Sequence, residues 1–157
     1  MTSPLVKLSR RIYSQLDDVE EVVSRAQEGW QEYKSTNNDL YLDSVALSLH
    51  GFYSGVESLL QEIATGLDRH LPTGREWHKE LLQQMANAIP SVRPAVISTS
   101  TTNALDEYCR FRHVVRNVYN YRLKSEKIEP LVNGLRSAFK QVRQELIDFV
   151  RWLSEFS

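Results

Sequence analysis

The chain has 157 residues and a formal net charge of −1, with 19 basic and 20 acidic residues. Hydrophobic residues make up 41% of it and aromatic residues 10%, which is typical of a globular protein and argues against wholesale disorder or a membrane protein. The near-zero charge excludes a molecule-wide field that attracts nucleic acid, so any polyanion site must be local.

Two long amphipathic helices are predicted first. The dipeptide Ser3-Pro4 is typical of a helix start, and apolar residues then recur at steps of three and four as far as Tyr33. The same pattern predicts a second helix from about Asp39 to His70, where LPTG breaks it. These spacings bury one face of each helix.

Three further helices are predicted in the second half of the chain. Thr73 and Glu76 have the spacing of a capping box, so they indicate the start of a short third helix that ends before Pro90. After the segment VISTSTT, Asn103 is the predicted cap of a fourth helix, and a fifth is predicted from about Pro130.

The predicted fold is all-α, an up-down bundle of about five helices, because no segment of the sequence has a convincing strand pattern. The length favours a single domain over residues 1–157. No apolar run has the length of a signal peptide or a membrane span, so we expect a cytoplasmic protein with no membrane association. The single cysteine, Cys109, suits a reducing compartment and is interpreted as a small core residue rather than a nucleophile.

The fourth helix contains the polar stretch FRHVVRNVYNY, residues 111–121. Mainly apolar residues account for its core side, and they form two adjoining rows. The first row contains Leu105, Tyr108, Arg112, Val115 and Tyr119, and the second contains Phe111, Val114, Val118 and Tyr121. His113, Asn117 and Asn120 share a separate face, flanked by Arg112 and Arg116. A guanidinium can clamp a phosphate and a histidine can move protons, so the pattern indicates phosphodiester chemistry. The alternative is an interface helix whose polar groups set the register of a dimer.

Charge along the chain is also uneven around this helix. Basic residues dominate from Arg110 to Lys127, whereas the run Asp17 to Glu21 is strongly acidic. The asymmetry indicates an anion site beside the polar stretch, and a solvated face neutralised by other elements is the alternative.

Other polar residues and glycines favour structural roles. Gly51 and Gly55 inside the second helix each cost about 1 kcal/mol relative to alanine, which favours close helix packing over a ligand contact. His50, followed by Tyr53 and Glu57 at helical spacing, is either a second wall of the site or a satisfied structural histidine. His78 and Glu80 lack further ligands at metal-binding spacings, so we predict no metal.

RFRHVVRNVYNY resembles the signature of HEPN-domain proteins, and more closely that of HepT-like toxins, which is arginine, four residues, histidine, one residue and tyrosine. Arg112, Asn117 and Tyr119 stand at its three defined positions. LHGFYSGVESLLQEIA and GREWHKELLQQMA also resemble the corresponding helices of HepT-like proteins. The resemblance therefore covers most of the chain.

The resemblance implies a HEPN-like bundle that forms a homodimer, in which the arginine and histidine of two protomers meet at the interface. It implies cleavage of RNA without metal or other cofactor, through attack of a 2′-hydroxyl on the adjacent phosphate, and a nucleotidyltransferase antitoxin as partner. The resemblance implies catalytic positions at Arg112 and Asn117 and modification with AMP at Tyr119. From the polar face of the helix, His113 is a further catalytic candidate, and Arg116 and Asn120 are candidate substrate-binding residues.

Asn117 departs from the family pattern, which has histidine at this position in its catalytic form. Asparagine can form hydrogen bonds but cannot carry a proton, so we predict reduced ribonuclease activity unless His113 substitutes for the missing group. Two functions stay open, namely an RNA-cleaving toxin subunit and a non-catalytic dimer that binds RNA or a protein.

Overall fold

A computed structural model describes residues 3–116 and 123–155 of the chain. These residues form five α-helices and no strand, which confirms the predicted all-α fold. The helices are α1 (Pro4–Thr36), α2 (Asp39–Ile63), α3 (Trp77–Ala86), α4 (Thr99–Arg116) and α5 (Ser125–Ser154). A π-helical turn, Ala64–Asp68, follows α2. Within these residues, every helix is too short or too polar to cross a lipid bilayer.

Helices α1 and α2 form an antiparallel pair because only two residues connect them. The hydroxyl of Ser3 accepts a hydrogen bond from the backbone N–H of Val6 (3.2 Å), so the predicted start of α1 is confirmed. Asn37 takes a left-handed conformation (φ 57°) after the last turn of α1. The side chain of Asn38 then caps α2 by accepting from the N–H of Leu40 (3.0 Å).

Glycines allow this pair to pack closely, as predicted. A Cβ atom on Gly55 would lie 2.7 Å from Cγ2 of Val19, and one on Gly51 would lie 3.4 Å from Cγ1 of Val22. Val19 and Val22 lie about one turn apart on α1, and they contact Gly55 and Gly51 of α2 in the reverse order along the chain. The two helices are therefore antiparallel. Val19 is buried and Val22 is partly buried against the core.

Helices α4 and α5 form a second antiparallel pair. The hydroxyl of Tyr108 donates to the carbonyl oxygen of Leu131 (2.7 Å) across the middle of the pair. At the start of α4, the carboxylate of Glu145 accepts from the N–H of Ser98 (2.6 Å) and from the hydroxyl of Thr101 (2.7 Å). These contacts fix the register of α4, on which the predicted site lies.

The second helix is shorter as an α-helix than predicted. It changes to the π-helical turn at Ala64, and Arg69 then takes a left-handed conformation (φ 54°). The hydroxyl of Thr65 donates to the carbonyl oxygens of Gln61 and Glu62, a contact that disturbs regular helix geometry. The turn brings Asp68 to its buried partner, Arg93.

Arg93 and Asp68 form a buried ion pair between the loop after α3 and the π-helical turn. Nε of Arg93 donates to Oδ1 of Asp68 (2.6 Å) and Nη2 donates to Oδ2 (2.8 Å), with both side chains almost fully covered. The guanidinium also donates to the carbonyl oxygens of Gln84, Asn87 and Pro94. The pair therefore holds the irregular segment between α3 and α4 against the end of α2.

Three predicted helix starts were wrong, and for α4 the reason is a tertiary contact with Glu145. The capping box at Thr73 does not form, since Glu76 precedes α3 without a side-chain cap. Ser98 rather than Asn103 caps α4, accepting from the N–H of Thr101 (3.1 Å) while Glu145 holds it in place. Helix α5 begins at Ser125, and Pro130 lies inside it. Burial of Ile128 on the same face as Leu131 favours this earlier start.

Candidate functional site

A buried carboxylate, Glu57 of α2, is the centre of the polar interactions around α4. It lies on the core face of α2, next to Val56, and only 6% of its side chain is exposed. Oε1 of Glu57 accepts a hydrogen bond from Nη1 of Arg112 (2.7 Å), and Oε2 lies 2.6 Å from Nδ1 of His78. A buried carboxylate requires such partners, because removing a charge from water is costly.

Glu57, His78 and Arg112, here called the Glu57 cluster, come from α2, α3 and α4 respectively. Nη1 of Arg112 and Nδ1 of His78 are 3.3 Å apart because both nitrogens converge on the same carboxylate. The side chain of Arg112 is 14% exposed and that of His78 is 12% exposed. The cluster therefore lies at the edge of the core, with a small part of the Arg112 and His78 side chains exposed.

The orientation of His78 follows from its bond with Glu57. A carboxylate only accepts, so Nδ1 of His78 carries the proton in this contact and Nε2 faces elsewhere. The imidazole ring lies against the indole of Trp77, with ring centroids 3.6 Å apart. Because α3 begins at Trp77, the ring is presented from the first turn of a helix.

Arg112 retains hydrogen-bonding capacity after its bond with Glu57. Its Nε atom is buried and has no hydrogen-bond partner among the described residues. An unsatisfied buried N–H costs free energy, and a guanidinium suits an oxygen anion such as a phosphate. Glu57 thus fixes one edge of the guanidinium, while its buried Nε is left unsatisfied by the described residues.

Cys109 lies in the core beside this site and is not available as a nucleophile. Only 3% of the residue is exposed, which confirms its interpretation as a core residue. Burial raises the pKa of the Cys109 thiol. Burial likewise raises the pKa of Tyr53, so both side chains are neutral near pH 7.

The predicted site residues of α4 are only partly described. His113 lies on the exposed side of α4, and Arg116 is the last residue of the helix. Asn117, Tyr119 and Asn120 lie outside the described residues. Val114, predicted to belong to an apolar row, is 49% exposed because the core-facing side of the helix passes through Tyr108 and Phe111 instead.

The sequence alone does not identify His78 as a candidate site residue, because no further metal ligands stand at suitable spacings around it. It indicates Glu57 only as part of a possible second wall of the site. A signal for Glu57 was present, since it lies four residues after Tyr53 and three before Leu60, on the buried face. A charge at such a position predicts a buried partner. No three potential metal ligands converge anywhere in residues 3–116 or 123–155.

Comparison with known proteins gives one match. No curated protein sequence and no solved structure matches the chain. The family described as HepT-like protein matches residues 44–153, which is more than half of the chain. The matched segment extends from the first turns of α2 to the end of α5 and includes the whole Glu57 cluster. The chain therefore belongs to the family of HepT-like proteins.

Proposed function

We propose that this HepT-like protein is the toxin subunit of a HEPN/nucleotidyltransferase toxin–antitoxin system and that it is a metal-independent endoribonuclease. The observation that carries the proposal is the state of Arg112. It stands at the motif arginine, Glu57 fixes its Nη1, and its buried Nε has no partner among the described residues. A guanidinium that is oriented but incompletely satisfied is suited to bind a phosphate of RNA and the charge that develops on it.

The proposed reaction follows the resemblance to HEPN ribonucleases. A 2′-hydroxyl attacks the adjacent phosphate, and Arg112 stabilises the charge on the phosphate oxygens. Arg116 and Asn120 are proposed to hold the RNA backbone, with His113 and Asn117 beside the reacting groups. A homodimer that pairs two copies of α4 would bring both Arg112 residues to one groove. We place the protein in the cytoplasm, as a single domain over residues 1–157.

A second candidate function is a non-catalytic dimer that binds RNA or a protein through the same surface. One feature favours it: Asn117 occupies the motif position of the catalytic histidine and cannot transfer a proton. Loss of a general acid or base typically lowers a rate by about 10²–10⁴-fold, which is enough to silence a toxin.

One experiment separates the two functions. Purified protein is incubated with total RNA in a chelator, and wild type is compared with Arg112→Ala and Arg151→Ala. Arg151 is a matched control because its exposed side chain pairs with Asp148 of the same helix, outside the basic stretch. Cleavage by wild type and Arg151→Ala, with loss in Arg112→Ala, supports the ribonuclease. If wild type leaves the RNA intact but binds it, the binding module replaces the enzyme.

The proposed antitoxin partner acts on Tyr119. In the family this tyrosine receives AMP from the nucleotidyltransferase, and each AMP would add a negative phosphodiester and a bulky base near Arg112 and Arg116. RNA would then lose its anion site. After co-expression with such an enzyme, mass spectrometry should show AMP-sized increments on wild type and none on Tyr119→Phe. Increments that persist in the phenylalanine variant would refute this modification site.

A further inference from the structure

The position of His78 carries a further inference, which rests on the proposed ribonuclease function. His78 reaches the motif arginine from a different helix, with its Nδ1 atom 3.3 Å from Nη1 of Arg112. It thus lies where a histidine can act on a phosphate bound by Arg112, although it is distant from Arg112 in sequence. We propose that His78 is the general base of this chain and replaces the histidine that the motif lacks at Asn117.

Glu57 gives His78 the geometry that a general base needs. Its Oε2 atom lies 2.6 Å from Nδ1 and accepts the proton that this nitrogen carries. Nε2 is therefore the nitrogen with a free lone pair in the neutral ring, and the carboxylate stabilises the imidazolium that forms once Nε2 is protonated. The hydrogen bond of His78 with Glu57 uses Nδ1, so Nε2 is the nitrogen that a substrate would meet.

Burial and packing hold the ring in one place. The side chain is 12% exposed, and Trp77 lies against the ring at a centroid distance of 3.6 Å. Glu57 binds Arg112 and His78 through different oxygens, so it sets the distance between the phosphate-binding group and the base. By contrast, His113 lies on the exposed side of α4.

The proposed step is an intramolecular transesterification of RNA. Nε2 of His78 takes the proton of the 2′-hydroxyl, and the O2′–P bond forms while the P–O5′ bond breaks. The leaving 5′-oxygen takes a proton from solvent, and His78 later returns its own proton to solvent. The products are a 2′,3′-cyclic phosphate and a 5′-hydroxyl, and no oxidant, reductant or metal enters the balance.

The sharpest variant is His78→Asn. Its amide nitrogen replaces Nδ1 and can donate to Glu57, but nothing replaces Nε2. Total RNA in a chelator should be cleaved about 10²–10⁴-fold more slowly by His78→Asn than by wild type. His70→Asn, which changes an exposed histidine after the π-helical turn, should cleave like wild type. Urea unfolding checks that both variants are folded.

A second variant separates proton transfer from a structural role. His78→Ala should be inactive, and added imidazole should restore cleavage because it supplies the missing base. Wild-type speed in His78→Asn overturns the inference and leaves the proposed function standing. A folded His78→Ala protein that imidazole does not rescue also overturns it. If wild type itself does not cleave RNA, the proposed function fails and the inference falls with it.

Discussion

The charge of Glu57 is balanced by the guanidinium of Arg112 on α4, and His78 on α3 donates a further hydrogen bond to it, so this residue contributes to stability as well as to the candidate site. The carboxylate bonds with Arg112 at 2.7 Å and with His78 at 2.6 Å, and 6% of its side chain is exposed. Because the interior screens charge poorly, losing one partner of such a pair leaves an uncompensated ion. Any substitution in the Glu57 cluster must be assessed for folding before its activity is interpreted.

Glu57→Ala should lower the free energy of unfolding by about 3–5 kcal/mol, since it leaves the buried guanidinium of Arg112 without its carboxylate. Glu62→Ala is the matched control on the same helix. It removes a 3.0 Å ion pair with Arg11, whose side chain is 71% exposed, and should cost about 0–1 kcal/mol. Urea unfolding measures both changes. Equal losses in the two variants would show that the Glu57 cluster contributes little to stability.

Asn117→His should increase ribonuclease activity because it restores a group that can carry a proton near neutral pH at the motif position. Toxicity on expression should rise in parallel. The measurement compares cleavage of total RNA in a chelator by the variant and the parent. Cleavage no faster than that of the parent would mean either that another histidine already transfers the proton or that RNA does not bind productively.

At the scale of helices, the contact between α1 and α2 depends on the absence of a side chain at Gly55. An added Cβ would lie 2.7 Å from Cγ2 of Val19, and the branched valine side chain has little freedom to turn aside. The helices would have to separate, or Val19 would have to leave its preferred rotamer. Around Gly66, by contrast, no atom lies within 4 Å of the position of an added Cβ, and its φ is not positive.

Gly55→Ala should therefore destabilise the protein despite the better helix propensity of alanine. Overpacking costs about 1–3 kcal/mol, against a propensity gain of about 1 kcal/mol. Gly66→Ala should leave stability unchanged or raise it by up to about 1 kcal/mol. The midpoints of urea unfolding check both. A more stable Gly55→Ala protein would imply that α1 adjusts its position without loss of packing.

For the whole molecule, the exposed apolar surface of α4 is consistent with the proposed dimer. Val114 is 49% exposed, and beside it an open groove of about 570 Å³ lies between α4 and α5, lined in part by Phe111 and Leu131. Apolar surface of this kind on a helix that also carries Arg112 is what a second copy of the chain could cover.

We expect the protein to be a homodimer at micromolar concentration, and light scattering coupled to gel filtration measures its mass. Val114→Glu should shift the mass toward the monomer because it places a charge in the apolar contact. Leu40→Glu, at an apolar residue of α2 that is even more exposed (73%), should leave the mass unchanged. Pairing through α4 would be contradicted by a wild-type protein with the mass of a monomer, or by a Val114→Glu variant that keeps the mass of the dimer.

Local patterns in the sequence determined the helices, their buried faces and the family. Apolar residues at steps of three and four predicted all five helices, and the signal at Ser3 works because its side-chain oxygen reaches a backbone N–H within the same turn. The arginine motif likewise lies in one continuous stretch. Such features depend on neighbours along the chain, so they are readable without the fold.

Only the tertiary structure decided where three of the helices begin and what surrounds Arg112. The start of α4 at Thr99 depends on Glu145, which is 47 residues away from Ser98 in sequence. Glu57 and His78 lie 55 and 34 residues before Arg112, and nothing in their local spacing connects them. A buried charge must find a partner of opposite charge, but the packing of α2, α3 and α4 determines which one it meets.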